Sequence, residues 1–153
     1  MNRSQFSDIS FQFVYQNGYE HSSKEKQDAI LLKQLQEEDR VFSQLSNDFE
    51  ASMKVIKKWR KVTYKEIAEE LYYTEKQIGR LFKGEGSLEL FLLVCVYLNL
   101  PPSISMHLLE KSKWKLDLSN HTHLRYQTVL FTFQGQSVEQ VKEFLKKFNI
   151  VLQ

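Results

Sequence analysis

The stretch Thr63-Tyr-Lys-Glu-Ile-Ala-Glu-Glu-Leu-Tyr-Tyr-Thr-Glu-Lys-Gln-Ile-Gly-Arg-Leu-Phe-Lys-Gly84 decides the fold class. It contains two capping boxes, Thr63-Tyr-Lys-Glu66 and Thr74-Glu-Lys-Gln77. In a capping box the threonine oxygen accepts from the backbone N–H three residues on, while the Glu or Gln side chain reaches back to the cap. Each box therefore starts a short helix, Tyr64 to Leu71 and Glu75 to Phe82. Only Tyr72 and Tyr73 lie between the first helix and the second cap, so the second helix must cross the first steeply. Ala68 is small where the two would approach. Ile67, Leu71, Ile78 and Leu81 sit where a shared core must be apolar.

The same grammar continues outward. Ser22-Ser-Lys-Glu25 opens an amphipathic helix that sets Ile30, Leu31, Leu35, Phe42 and Leu45 among Glu37, Glu38 and Asp39. Phe49, Met53, Ile56 and Trp59 recur at helical spacing on a helix of Asp48 to Lys61, whose other faces carry lysines. Downstream, Ser87 caps Leu88 to Leu98, and further helices span Ile104 to Lys111 and His121 to Phe133. The box Ser137-Val-Glu-Gln140 starts a last one, Val138 to Lys147. Gly84 and Gly135 stand where helix C-termini favour a left-handed residue, and Pro101-Pro102 ends the most apolar helix. Ahead of all of these, Ile9, Phe11, Phe13 and Tyr15 alternate with neighbours on the other face and run into Asn17-Gly18. With no comparable return strand, this reads as a sticky arm rather than a hairpin. The expected fold is all-α: an arm and acidic helix over 1–46, a head over 49–100 and a helical extension over 101–153.

Composition agrees. The 153 residues are 42% hydrophobic and 26% charged, within the globular range. A chain of this size buries roughly 68–70% of its unfolded surface and needs neither disulfide nor structural metal. The single cysteine, Cys95, lies in the apolar run Leu88 to Leu98 and reads as a small core residue. No window approaches the ~20 apolar residues of a membrane span, and Met1 to Gln16 lacks the apolar core of a signal peptide. A soluble, cytoplasmic chain is the expectation. The net charge of +2 hides a division: residues 1–48 carry 5 basic against 8 acidic residues, the rest 16 against 11. The basic excess is densest from Lys54 to Lys83, which suggests a polyanionic partner.

Two capped helices so closely joined make a helix-turn-helix. In such a unit the second helix turns its first residues outward, and Glu75, Lys76, Gln77 and Arg80 are the side chains able to reach base edges in a major groove. On these residues, and above all on Thr74-Glu-Lys-Gln-Ile-Gly-Arg-Leu-Phe-Lys-Gly84, the chain resembles the lambda-repressor-like, or Xre-type, helix-turn-helix family. The resemblance covers about Phe49 to Leu100, a third of the chain. It implies a five-helix head that binds double-stranded DNA, with Glu75 and Lys76 opening the reading helix and Arg80 one turn later. It further implies phosphate contacts from Tyr64, which opens the first helix of the motif, and from Lys83; Thr74, Lys57 and Lys58 complete the expected phosphate-contacting set. One residue departs from the pattern. The family usually has glycine four residues after the small alanine, and Tyr72 stands there, where a left-handed conformation costs energy. Residues 98–116 and the closing helical pair resemble the C-terminal extension of some larger bacterial and phage regulators.

Other chemistry is poorly represented. His121 and His123 are two apart, which puts them about 200° apart around a helix, and read as a polar helix start, not a metal site. There is no Gly-rich phosphate loop and no nucleophile in a recognisable setting, and Glu66, Glu69 and Glu70 are spaced as a solvent-facing strip. Neither an enzyme nor a cofactor is expected. Tyr126, Phe131, Phe133, Phe144 and Phe148 recur at helical intervals and are expected in the core of the terminal pair. The expectation is a DNA-binding transcriptional regulator, a repressor by analogy, acting as a homodimer because one head reads a single half-site. The terminal pair, with Val141, Phe144, Leu145 and Phe148, is favoured as the dimer surface over the arm and first helix, with Phe11, Phe13, Tyr15, Leu35 and Phe42. The alternative is a protein-interaction module, an antitoxin or adaptor, gripping a partner through its N-terminal helix or terminal pair.

Overall fold

A computed structural model describes residues 23–152, and every regular element among them is an α-helix. In chain order these are α1 (Lys24–Phe42), α2 (Phe49–Arg60), α3 (Tyr64–Leu71), α4 (Glu75–Phe82), α5 (Leu88–Tyr97), α6 (Pro102–Lys111), α7 (His121–Thr132) and α8 (Val138–Lys146). The alternating segment Ile9 to Tyr15 and the Asn17-Gly18 turn lie outside the described residues.

Side-chain oxygens start seven of the eight helices, supplying acceptors that the first turn's N–H groups otherwise lack. They belong to Ser23, Asp48, Thr63, Thr74, Ser87, Asn120 and Ser137. The boxes at Thr74/Gln77 and Ser137/Gln140 close in both directions. At the first helix the cap is Ser23, bonded to the Lys26 N–H, one residue later than the box at Ser22 implied. The eighth helix, α6, starts without a side-chain cap, because proline in its first turn has no N–H to satisfy. It therefore begins at Pro102, two residues ahead of the expected Ile104. Helix ends otherwise differ by single residues: Lys61, Leu98, Phe133 and Lys147 are C-caps and not the last helical residues.

The turn after α3 takes the left-handed conformation at Tyr72 itself, with φ 61° and ψ 43°, and the Tyr73 N–H closes it on the Ala68 carbonyl at 3.0 Å. The tyrosine side chain escapes a clash by pointing into solvent, where it is 87% exposed. Gly84 and Gly135 have φ of 92° and 88°, as their positions required.

The core is centred on α5. All of its residues except Glu89 are buried, and α3, α7 and α8 pack around it. A helix apolar on every side is stable only when covered on every side. One apolar cluster runs without a break from Val41 through α2 to α8 and on to Ile150 and Leu152. Residues 49–100 and the segment after them thus share this core, and 49–100 itself holds four helices, with α6 following beyond Leu100.

Asn99 is a polar joint in this core. It is 1% exposed and left-handed at φ 53°. Its carbonyl accepts Nη2 of the buried Arg60 at 2.8 Å, and its side-chain oxygen accepts the Gly135 N–H. The end of α2, the end of α5 and the turn between α7 and α8 meet on this one residue.

The first helix departs from expectation. Of its apolar residues only Val41 joins the core: Ile30, Leu32, Leu35 and Phe42 are exposed, Leu31 is half-buried, and the other buried residue is Gln27. The helix stops at Phe42, leaving Leu45 in the following loop. Trp59 Nε1 donates to Glu37 at 2.8 Å, and the Phe42 ring meets His107 edge-on, so α1 is pinned on α2 and α6 by a few specific contacts.

Candidate functional site

Helix α4 divides sharply into two faces. Ile78, Leu81 and Phe82 are buried, while Glu75, Lys76, Gln77 and Arg80 are exposed together on the other side. The four expected base-contacting residues are thus all exposed, with Lys76 and Arg80 in the middle of this face and Glu75 and Gln77 toward its two edges, and they are not equally available. Gln77 Oε1 accepts both the Thr74 N–H and its hydroxyl, at 2.9 and 3.2 Å, so the carboxamide is anchored by its oxygen. Arg80 Nε lies 3.2 Å from Glu85 Oε2 in an ion pair that is more than half exposed on both sides. Glu75 and Lys76 have no such tether among the described residues. The Thr74 hydroxyl is used to cap the helix, accepting from the Gln77 N–H.

Tyr64 is held closely. Its ring lies 5.0 Å from Phe82 and beside Gly79, where an added Cβ would stand 3.7 Å from the ring. The Lys57 ammonium sits over the same ring, 4.8 Å from its centroid. Lys57, Tyr64 and the end of α4 are therefore one cluster. Lys83 is exposed at the C-cap of α4, and Lys58 is exposed one residue along α2 from Lys57. Lys54, by contrast, pairs with Glu50 at 3.6 Å.

Lys113 was not foreseen. A cleft of about 520 Å³ beside α4 is lined by Tyr73, Gln77, Arg80, Glu85 and Lys113 among others. Trp114 carries the lysine there: its ring stacks on Phe91 at 5.1 Å, and its indole N–H donates to the Gly86 carbonyl at 3.0 Å. The signal in the sequence was a lone tryptophan within Lys113-Trp-Lys115, a segment assigned to the extension and so not considered with α4.

The remaining aromatic and histidine residues have structural partners. His123 Nδ1 accepts the Asp117 N–H at 3.0 Å and its ring stacks on Tyr126, while His121 lies against Phe148. Asn120 caps α7 just ahead of both. Phe144 packs on both Phe133 and Phe148, and Tyr126 is buried with its hydroxyl toward Glu89. That environment, chiefly burial and then the neighbouring carboxylate, pushes the Tyr126 hydroxyl up to about 12. Phe131 alone leaves this core and is 48% exposed. Among the described residues no helix is long and apolar enough to cross a membrane, and no three acidic, histidine or cysteine side chains are grouped to hold a metal. No family model, curated protein or solved structure matches the chain.

Proposed function

We propose that the protein binds double-stranded DNA and regulates transcription, with α3 and α4 as a helix-turn-helix within a repressor-like head and α4 reading the major groove. One observation carries this reading: an eight-residue capped helix buries one face and turns Glu75, Lys76, Gln77 and Arg80 outward together. Amide and guanidinium groups on such a face match the donor and acceptor patterns of base edges, and Glu75 can accept from a cytosine amino group. Lys57, Tyr64, Lys83 and Lys113 border the helix and supply positive charge and hydroxyl donors for the flanking phosphates. Lys58 and the Thr74 position belong to the same proposed backbone-contacting set.

A fluorescent random duplex tests it. Binding at low salt must be present and must weaken steeply as salt rises, because each neutralised phosphate releases counterions. Lys83→Ala and Lys57→Ala each flatten that dependence by about one phosphate. Selection from random duplexes then gives a preferred site, for which Arg80→Ala costs roughly 1–3 kcal/mol more than it costs on random sequence. Absence of low-salt binding sinks the proposal.

The exposed apolar residues of α1 favour an additional or alternative role in protein pairing. Val141 and Leu145 of the terminal pair are buried inside the chain, whereas Ile30, Leu32 and Leu35 remain outside it. We therefore place the homodimer or partner contact on α1 in preference to the terminal pair. Sedimentation of the full chain and of an Ile30→Glu/Leu32→Glu variant distinguishes the two, since only an interface on α1 is lost in the variant.

A further inference from the structure

A second cleft, of about 410 Å³, opens between α1, the end of α2, the start of α6 and the end of α7, with no lining residue from α4. Its volume lies within the ~300–1,000 Å³ of sites that hold small organic molecules. Leu35, Trp59 and Phe131 give it apolar walls, and Leu35 and Phe131 are two of the few large apolar side chains left exposed. Exposed apolar residues gathered in a concave site mark a binding surface more often than single ones scattered over a protein.

The charged groups in the cleft differ in access. Arg60 is buried, with its guanidinium 3.7 Å from the Trp59 ring centroid and its Nη2 on the Asn99 carbonyl. Glu37 and Glu38 are half-buried on the α1 side. Glu37 Oε1 accepts the Trp59 indole N–H, and Glu38 Oε1 accepts the Ser103 hydroxyl at 3.1 Å. These bonds fix one oxygen of each carboxylate, and a carboxylate has acceptor capacity on both. Glu37 already shares a weak, exposed pair with Arg40, 4.0 Å away, whereas no ion pair holds Glu38 among the described residues, so a ligand cation supplies charge balance that this wall lacks.

The geometry points to a binding site for an amphipathic organic cation, with its aromatic or aliphatic body between Leu35, Trp59 and Phe131 and its ammonium on Glu37 and Glu38. The site goes beyond the DNA-binding reading and stands independently of it. Such a ligand bridges α1 to α2 and α7 and tightens a helix otherwise held by few contacts.

The chain carries its own reporters, since its two tryptophans, Trp59 and Trp114, sit in the cleft and in the core beside Gly86 respectively. In ¹⁵N-labelled full-length protein, the two indole N–H signals are followed during titration with 2-(1-naphthyl)ethylamine, 2-(1-naphthyl)ethanol and 1-naphthaleneacetate. The amine is expected to move Trp59 and leave Trp114 in place. It should bind about fivefold more tightly than the alcohol, with the acetate weakest. In Glu37→Gln/Glu38→Gln protein the amine falls to the affinity of the alcohol, and an unmoved Trp114 signal shows that this variant is folded. The proposal is overturned if no probe moves Trp59, if both indoles move alike, if the acetate equals the amine, or if the double variant keeps the preference.

Discussion

Arg80 is held by an acid that follows α4: its Nε lies 3.2 Å from Glu85 Oε2, across the turn made by Lys83 and Gly84. An exposed pair of this kind is worth only about 0–1 kcal/mol, so a stronger anion readily takes its place. On the DNA-binding reading Glu85 competes with phosphate or guanine for the arginine and also repels the duplex. Glu85→Gln is therefore expected to raise affinity for random duplex about two- to fivefold at low salt, measured by fluorescence anisotropy. An unchanged affinity would place Arg80 away from the bound DNA.

Tyr72 holds a conformation that costs a side-chain-bearing residue about 1–2 kcal/mol and glycine almost nothing. Its ring is nearly all in solvent and contributes little packing. Tyr72→Gly should stabilise the protein by about 0.5–1 kcal/mol, the gain being trimmed by the extra freedom of glycine in the unfolded chain. Urea denaturation at constant slope measures it, and a loss of stability would show that the exposed ring packs on something.

Asn99 serves two functions that substitutions can separate. Asn99→Gly keeps the left-handed backbone and the carbonyl bonded to Arg60 but removes the acceptor for the Gly135 N–H. This donor is half-buried, so the loss of its partner costs about 1 kcal/mol, the low end of the range for buried groups. Asn99→Ala adds the strain of a Cβ at φ 53°, for a further ~1 kcal/mol. Thermal unfolding should rank wild type above glycine and glycine above alanine; equality of the two variants would mean that backbone strain is not at issue there.

Cys95 should be inert while the protein is folded. It is 3% exposed, and burial pushes its thiol up to about 12, so almost no thiolate exists at neutral pH. Reaction with a chromogenic disulfide reagent is expected to track global unfolding, with full colour only in denaturant. Rapid modification of native protein would contradict the packing of α5.

Alkaline pH should destabilise the fold through Tyr126. Its folded-state value of about 12 is above the ordinary 10, so the associated stability is complete below pH 10 and is lost as pH rises toward 12. Tyr126→Phe, which cannot ionise, should show a shallower decline across that window in urea titrations at fixed pH. A decline of the same steepness would assign the effect to other groups.

The helices were legible because their starts are written in single residues. Ser, Thr, Asp or Asn stands at seven of the starts, and the sharp apolar stripe of α2, Phe49 to Trp59, left its burial in no doubt. The exposed set Glu75, Lys76, Gln77 and Arg80 followed from the same periodicity. What periodicity does not contain is the partner of each face. The stripe on α1 has the right spacing for a core helix, yet α5 and its neighbours close the core with only Val41 from it, and Ile30 and Leu35 are left outside. Lys113 reaches α4 only through the docking of Trp114 on Phe91, a contact between distant parts of the chain. The Glu85 tether on Arg80 depends on the turn at Gly84 and on rotamers that no spacing rule specifies.

The fully apolar α5 also constrains the order of events during synthesis. Its face for α3 finds a partner already made, but its faces for α7 and α8 do not, because α6 and α7 must be translated before Val141 and Leu145 exist to cover it. Until then a nascent chain displays Leu92, Leu93, Val94 and their neighbours to the cell. That interval is the stage of synthesis most exposed to aggregation, and it closes only when α7 and α8 dock on α5.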